Sequence, residues 1–256
     1  MSNKIKKHWN DLAETKESSY KASWEDYYML QKEIDEVCKY IGGIESICDM
    51  GCNNGYCDFE FLKRCSCIDI TGVDYAENAI EQAKNDLVGS YYEHRCRFLV
   101  GNILDKDTYP NDKFDKVLVK RTIINLDTEE DQIQALINLK SLLKANGKII
   151  LMEAVEENLN RLNSLRKEFS LPDLSQPWHN KYLNSAVIKS IYDNFHVEVD
   201  ENYASSYYII SRVFYPWMSK VTPNTKISYL SEINRLASMF PNIGDYGIQR
   251  LFVLSI

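Results

Sequence analysis

The sequence predicts an α/β protein built around a parallel sheet, because strand-like and helical patterns alternate through its middle part. Two strand-like runs end in a carboxylate, and the first of them continues directly into a glycine-containing turn. The chain has 256 residues, of which 45% are hydrophobic and 26% are charged. These proportions are ordinary for a globular protein, and the length suffices to bury one sizeable core.

Seven apolar runs are typical of strands, and they cover residues 46–50, 69–74, 96–100, 114–120, 147–154, 196–203 and 249–255. Helical patterns cover residues 27–40, 57–64, 77–87, 128–143, 159–168, 184–194, 206–217 and 226–239. The clearest helix begins at Thr128, where Thr128 and Asp131 resemble a capping box. We expect Asn146 and Gly147 to end this helix and turn the chain into the next strand.

These elements predict a Rossmann-like, seven-stranded, mostly parallel sheet with helices on both faces and an antiparallel last strand. The aromatic and charged N-terminal flank and the helical C-terminal segments are expected to form a helical lid. We find neither an internal repeat nor a low-complexity linker, so residues 1–256 are expected to form a single domain.

A glycine turn follows the first predicted strand, in the stretch Asp49-Met50-Gly51-Cys52-Asn53-Asn54-Gly55. Glycine lets backbone amides approach a ligand at a distance that a Cβ would obstruct. A carboxylate at the head of the turn, Asp49, would repel a pyrophosphate and suits an amino group or a sulfonium. Asp74, which ends the second strand, can accept hydrogen bonds from both hydroxyls of a ribose. The pattern therefore favours a positively charged ligand that carries a ribose.

This constellation resembles the class I S-adenosylmethionine-dependent methyltransferases over residues 45–153. Besides the turn, the matching segments are Gly72-Val73-Asp74-Tyr75, Val100-Gly101-Asn102-Ile103 and Leu143-Lys144-Ala145-Asn146-Gly147-Lys148. The resemblance implies an enzyme with S-adenosylmethionine as cofactor, a cofactor-binding core at residues 45–154 and an N-terminal helical cap at residues 1–44. Residues 155–256 would supply acceptor-side helices and the final strands.

The same resemblance assigns cofactor contacts to ten residues. Gly51 and Gly55 are expected to admit the methionine moiety, and Asp74 to bind the ribose. Asn102, where many members of the family have Asp, would lie at the adenine edge with Ile103. The expected set is Asp49, Gly51, Cys52, Asn54, Gly55, Asp74, Tyr75, Asn102, Ile103 and Lys120.

The methyl acceptor is expected beyond the end of the fourth strand and beside a polar, aromatic loop at residues 176–182. His179 is a candidate base because the pKa of an imidazole lies near neutral pH. Arg121 could bind an anionic acceptor or could equally pair with a helix carboxylate. The catalytic candidates are His179, Arg121 and Glu153, and the substrate-binding candidates are Arg121, Asn125, Trp178, His179, Tyr208 and Arg212.

Composition limits the partners that we expect. The formal net charge is −7 with no basic stripe, and the segment after the fourth strand lacks the proline-containing motifs of nucleic-acid methyltransferases. We therefore expect a small-molecule acceptor, no nucleic acid and, since no stretch could span a bilayer, no membrane. The start of the chain has no signal-peptide pattern. Seven cysteines without metal-site spacing predict reduced thiols, no metal and a cytoplasmic location. The oligomeric state stays open.

The leading hypothesis is methyl transfer to an oxygen or nitrogen of a small polar acceptor. A fainter similarity to bacterial small-molecule methyltransferases suggests a sugar, nucleotide-linked or phosphoramidate intermediate of surface-polysaccharide modification. One alternative is a non-catalytic S-adenosylmethionine-binding regulatory or assembly subunit. The other is a nicotinamide oxidoreductase, which Asp49 and the missing third glycine of a dinucleotide fingerprint oppose.

Overall fold

The computed structural model describes residues 3–16, 18–222 and 227–256 of the chain. A seven-stranded sheet has the order β3-β2-β1-β4-β5-β7-β6. Strand β7 runs antiparallel to β5 and β6, and the remaining neighbours are parallel. The strands are β1 Glu45–Met50, β2 Ile68–Asp74, β3 Cys96–Val100, β4 Phe114–Lys120, β5 Leu143–Ala154, β6 His196–Glu201 and β7 Gln249–Ser255. The predicted fold class is confirmed.

Helices cover both faces of this sheet and extend over the carboxyl ends of its central strands. They are α1 Asn3–Lys16, α2 Tyr27–Cys38, α3 Tyr56–Arg64, α4 Glu77–Leu87, α5 Glu129–Leu139, α6 Glu156–Glu168, α7 Ser185–Asn194, α8 Ser205–Ile209, α9 Tyr215–Val221 and α10 Glu232–Met239. A π-helical turn, Ile210–Phe214, joins α8 to α9. Among the described helices, none combines the length and the apolar character that crossing a bilayer requires.

Several predicted boundaries were wrong. The helix expected over residues 128–143 gives way to a 3₁₀ turn after Leu139, and β5 has already begun at Leu143, before the turn expected at Asn146 and Gly147. Asn146 and Gly147 therefore lie within the strand. Helix α1 lies within the helical cap expected at residues 1–44, but no separate helix was predicted there. Lys226, the expected start of the last helix, lies outside the described residues.

The central strands are buried on both faces, which places the apolar core on each side of the sheet. Ile47 of β1, Leu118 of β4 and Ile150 of β5 have no exposed surface. Asp49 lies in register with Gly72 and Leu118 of the flanking strands. The strand order reverses between β1 and β4, so a crevice opens at their carboxyl ends, where ligands bind in sheets of this type.

Helix α1 covers this crevice and is held mostly by polar contacts with α4. The ammonium of Lys6 lies 2.5 Å from a carboxylate oxygen of Glu77, and Asn10 Oδ1 accepts a hydrogen bond from the amide of Asn78 at 3.1 Å. Its apolar contact is small, since Trp9 packs beside Ala13 and alanines of the α4 region. The helix therefore buries little surface for its length.

Candidate active site

The carboxyl ends of β1, β2 and β4 border a cavity of about 60 Å³, which we call the first cavity. Five of the ten predicted cofactor residues line it: Gly51, Asp74, Tyr75, Ile103 and Lys120. Arg121 and Asn125, which were predicted as substrate residues, also line it. The lining residues that were not predicted are Trp9, Ser23, Met50, Asn53, Val73, Gly101 and Thr122.

Asp74 lies at the tip of β2 and faces the first cavity. Its carboxylate accepts backbone hydrogen bonds from Asn53 and Ala76, each at 2.9 Å. Burial raises the pKa of Asp74 to about 6, against the opposing effect of these two donors. Each carboxylate oxygen has a second lone pair, so Asp74 can accept two further hydrogen bonds from neighbouring hydroxyls.

Asp49 does not face the cavity, contrary to the prediction. Its carboxylate is buried and lies 2.5 Å from Nζ of Lys120, which itself borders the cavity. Although burial opposes the charged form, the Asp49 carboxylate raises the pKa of Lys120. Asp58 lies beside them, and burial together with the charge of Asp49 raises the pKa of Asp58 well above its usual range. The three groups therefore form a buried cluster in which the surroundings of Asp58 favour its protonated form.

The two glycines of the turn are required by packing. Gly51 has φ +98°, and a Cβ there would overlap the side chain of Thr122, reaching 2.8 Å from its Cβ. Gly55 has φ +73°, and its Cβ would reach 2.6 Å from the ring of Phe98. Gly51 thus lets the loop after β4 approach the turn, whereas Gly55 lies outside the lining of the first cavity and serves the contact between α3 and the sheet.

Three other predicted cofactor residues have side chains that stabilise loops. The side-chain amide of Asn54 donates to the carbonyl of Ser19 at 3.1 Å. Asn102 Oδ1 accepts the amide of Leu104 at 3.0 Å, and Cys52 is buried behind the turn. None of these three lines the first cavity, so the geometry does not place their side chains where the prediction did.

A second cavity, of about 430 Å³, adjoins the first and shares Trp9, Ser23 and Arg121 with it. Its walls come from α1, the residues before α2, the 174–182 loop and the π-helical turn. They include His8, Leu12, Trp24, Leu174, Asn180, Tyr182, Tyr229, Ile248 and Gln249. Four of the predicted substrate residues, Arg121, His179, Tyr208 and Arg212, are also in the lining.

Asn125 and Trp178 do not line the second cavity. Asn125 borders the first cavity, where its Oδ1 accepts the indole N–H of Trp9 at 3.3 Å. Trp178 is 57% exposed, with the ammonium of Lys4 4.4 Å from its ring centroid. The predicted substrate contact of Trp178 is therefore not supported by its position.

Both arginines of the second cavity already have carboxylate partners. Nη2 of Arg121 lies 3.1 Å from Oε1 of Glu33 in α2. One of the two predictions for Arg121 was such a pair with a helix carboxylate, but the pair is buried and not on the surface. Its guanidinium also lies 4.6 Å from the ring centroid of Trp24. Arg212 pairs with Asp26, and its guanidinium lies 5.7 Å from the ring centroid of Tyr208.

His179 has an unusual environment for a candidate base. Its ring stacks on His8 with centroids 4.6 Å apart, and Nδ1 is buried with no partner among the described residues. Burial and the neighbouring His8 lower the pKa of His179 to about 4. The expectation of a pKa near neutral pH was wrong. The imidazole is neutral at pH 7 and can accept a hydrogen bond, but it is a weak base.

Glu153 lies beneath the loop after β4 and lines neither cavity. Its Oε1 accepts the amides of Thr122 at 2.8 Å and Ile123 at 2.7 Å, while Oε2 is buried without a partner in the described part of the chain. Burial outweighs these donors and raises the pKa of Glu153 to about 8. Glu153 is therefore placed to hold this loop in position, and not to act as the catalytic residue that was predicted.

The model of a methyltransferase domain family matches residues 44–201, which is more than half of the chain. The chain belongs to this methyltransferase family. A curated relative, an uncharacterised methyltransferase of Schizosaccharomyces pombe, is 26% identical over 121 residues. That match covers 45% of this chain and 42% of the relative, so the chain spans less than half of the relative's length.

Solved methyltransferase structures share the fold. Magnesium protoporphyrin IX methyltransferase from Synechocystis PCC 6803 has a TM-score of 0.57 at 14% identity, covering 98% of this chain and 94% of its own. The N-methyltransferase NodS from Bradyrhizobium japonicum has a TM-score of 0.55 at 14% identity, covering 76% and 89%. At these identities the likeness shows the fold alone.

For this methyltransferase domain, no local signal pointed to Trp9 or Ser23 as site residues. Both lie in the flank before β1 and reach the cavities only through tertiary packing of α1 and the segment behind it. Asn53, in contrast, stands inside the predicted turn and has φ +53°, a conformation that Asn tolerates better than most residues. Asn53 could have been found from its place between Gly51 and Gly55.

Proposed function

We propose that the chain binds S-adenosylmethionine in the first cavity and transfers its methyl group to an oxygen or nitrogen of a small polar acceptor in the second. Asp74 carries the proposal, since its buried carboxylate faces the first cavity with room for two more hydrogen bonds, as a ribose requires. The Synechocystis and Bradyrhizobium structures both contain S-adenosylhomocysteine, which supports the same choice of cofactor.

The other residues of the first cavity also fit this cofactor, except that Lys120 and not Asp49 faces the methionine moiety. Lys120 borders the cavity and separates it from Asp49, so its ammonium is placed for the carboxylate of the methionine moiety. The ring of Tyr75 lines the cavity and offers an aromatic face for the adenine. Ile103 offers an apolar edge.

Binding requires α1 to move. A cavity of about 60 Å³ holds one or two waters and not a nucleoside. Trp9 of α1 forms part of its wall, and the helix is attached by polar side chains on an exposed surface, such as Lys6 to Glu77. Such contacts are individually weak. We propose that α1 opens for cofactor entry and closes again over it.

The walls of the second cavity favour an uncharged acceptor. Glu33 and Asp26 neutralise Arg121 and Arg212, so neither arginine offers an unpaired charge to an anion. Lys21 and Glu25, which also line the cavity, carry opposite charges. Its buried unpartnered atoms, Nδ1 of His179 and Oδ1 of Asn180, include acceptors for hydroxyl or amino protons. Aromatic side chains form much of the remaining wall. A sugar ring, which donates hydroxyls and stacks on aromatic faces, fits this description.

The bound cofactor supplies an activated methyl group, and the chain then has to orient the acceptor and exclude water. Closure of α1 completes the wall between the two cavities through Trp9. Nδ1 of the neutral His179 ring can accept a hydrogen bond from the hydroxyl or amino group that is to be methylated. This bond would hold that group towards the first cavity. Because its pKa is low, His179 contributes more by orientation than by removing a proton.

Calorimetric titration with S-adenosylmethionine and S-adenosylhomocysteine tests the proposal. Wild-type protein should bind both, and Asp74→Ala should weaken binding by about 100-fold, as expected for loss of hydrogen bonds to a carboxylate. Asp105→Ala, which changes an exposed carboxylate in a loop, should bind like wild type. Absence of binding by the wild type would contradict the proposal. Binding without turnover of any acceptor in a broad panel would instead favour the regulatory-subunit alternative.

A further inference from the structure

A third cavity, of about 500 Å³, lies between α6, the 171–174 segment, the π-helical turn and α9. Its walls are largely apolar and include Leu171, Pro216 and Ile227. It shares Leu174, Arg212 and Tyr229 with the second cavity. The residues that line the first cavity are absent from its described lining. The third cavity is therefore a separate space on the far side of the second.

Arg166 of α6 lines this cavity as a buried cation without a counter-ion. Its side chain is 4% exposed, and its guanidinium donates to two backbone carbonyls, those of Pro172 at 2.9 Å and Arg212. Among the described residues no carboxylate lies within 4.0 Å of it. The neighbouring Asp173 pairs with Lys167 instead, at 3.3 Å. Arg166 thus has bonds to neutral groups only.

The positive charge of the Arg166 guanidinium is buried without an ion-pair partner among the described residues. Desolvation and the nearby charge of Arg212 lower the pKa of Arg166, yet an arginine stays protonated at neutral pH. Arg212 itself has Asp26 as partner, whereas Arg166 has only the weaker attraction of Asp173, which lies too far away to form an ion pair. Burying an unpaired charge is costly unless a ligand or counter-ion neutralises it.

Other groups of the third cavity add to its positive character. Oγ of Ser211 is buried and has no hydrogen-bond partner in the described chain, so it is available as a donor. Lys220 also lines the cavity, and its ammonium contacts a neutral carbonyl, that of Ser170, at 2.6 Å. No Asp or Glu occurs among the described lining residues. An anion in this cavity would be attracted by Arg166 and Lys220 and would not be repelled by a carboxylate of the described lining.

We propose that the third cavity is a binding site for an anionic group carried on an apolar body, with Arg166 and Ser211 contacting the anion and the apolar walls contacting the body. A phosphate, sulfonate or carboxylate supplies the charge that Arg166 lacks. A volume of about 500 Å³ accommodates an apolar body of several rings or a short chain beside it. The assignment does not rest on methyl transfer, since the two residues that contact the anion, Arg166 and Ser211, line neither the first nor the second cavity.

Two fluorescent probes with the same aromatic body test this site. 1-Anilinonaphthalene-8-sulfonate carries a sulfonate, and N-phenyl-1-naphthylamine does not. We expect Arg166→Gln to weaken binding of the sulfonate probe at least tenfold and to leave the neutral probe unchanged. Arg161→Gln, on the same helix but paired with Asp245 outside the cavity, should bind both probes like wild type. Equal binding of the sulfonate probe by folded Arg166→Gln and wild type would overturn the proposal.

A second variant keeps the test decisive if Arg166→Gln does not fold. Ser219→Trp places an indole in the cavity from the half-buried α9 position and should weaken both probes without touching Arg166. Competition on wild-type protein then identifies the ligand class: octyl phosphate should displace the sulfonate probe, and inorganic phosphate should not. Unchanged binding in Ser219→Trp, or no displacement by octyl phosphate, would show that the probe binds elsewhere and would overturn the assignment.

Discussion

The first and second cavities lie side by side but are assembled in different ways. The first is built mainly from turns that directly follow β1, β2 and β4, with Gly51, Asp74 and Thr122 each a few residues from a strand end. The second gathers side chains from segments far apart in the chain; Arg212 meets Asp26 across 186 residues. The first cavity therefore depends on the core of the fold, whereas the second depends on how the two flanks dock.

This difference implies that changes beside the first cavity should affect stability and cofactor binding together. Changes around the second should affect docking of the flanks and leave the core intact. The following substitutions test this contrast in order of decreasing expected effect.

The largest effect is expected from Lys120→Met. Removing the ammonium leaves Asp49 buried beside Asp58 without a cation, and breaking a buried pair in this way costs about 3–5 kcal/mol of unfolding free energy. Urea unfolding would measure the loss. Lys148→Met is the matched control, because the pair of Lys148 with Glu198 is partly exposed and such pairs contribute less than about 1 kcal/mol. Similar losses in both variants would contradict the distinction.

The next largest effect is expected from Gly51→Ala. The new Cβ would add a clash with Thr122 to the strain of a positive φ, and together these should cost about 3 kcal/mol and displace the loop at the first cavity. Gly89→Ala isolates the strain, since Gly89 has φ +71° and no atom near the added Cβ; we expect about 1 kcal/mol. Urea unfolding would measure the loss of unfolding free energy in both variants. Equal losses would show that Thr122 moves away from the added Cβ at no cost.

The same contrast explains which strands and helices could be predicted from the sequence. The four strands from β1 to β4 were placed within one residue, because each is a short apolar run bounded by turn residues. Helix α1 was expected only as part of a helical cap and without bounds of its own, because only Ile5 and Ala13 of it are buried, which leaves no clear apolar face in the sequence.

Predicted site residues line the first cavity where the chain itself brings them together, whereas a distant partner decides the charge of those in the second. Asp74 is at the cavity because it ends a strand. The environments of Arg121, His179 and Arg212 depend on Glu33, His8 and Asp26, and no local pattern links these pairs. Sequence spacing gives the order of strands, but it does not tell which buried charges neutralise one another.

A smaller, pH-dependent effect is expected from Glu153→Gln. The folded pKa of about 8 lies above that of an unfolded glutamate, so between these values the folded state keeps a proton that the unfolded state has lost. Wild-type stability should therefore fall as pH rises from about 4.5 to about 8, by at most about 1.4 kcal/mol per pH unit. The glutamine keeps an acceptor for the amides of Thr122 and Ile123 and does not titrate.

Urea unfolding of both proteins at several pH values from 6 to 9 would measure this difference. The stability of Glu153→Gln relative to wild type should rise over the interval and level off above the folded pKa of about 8. A relative stability that does not change with pH would show that Glu153 is already ionised beneath the loop at pH 6.

The smallest effect is expected in the second cavity, from His179→Phe. Phenylalanine keeps a ring against His8 and Trp9, so at pH 7 we expect a change below about 1 kcal/mol. The pKa of His179 is lowered to about 4, which means that the unfolded state binds a proton first as pH falls from about 6.5. Wild type should lose stability over that interval, and the variant should lose less. His94→Phe, an exposed histidine outside the second cavity, is the control. If His179→Phe and wild type lose stability equally between pH 6.5 and 4, burial against His8 does not lower the pKa of His179, and the imidazole is not held in the wall of the second cavity as the structure places it.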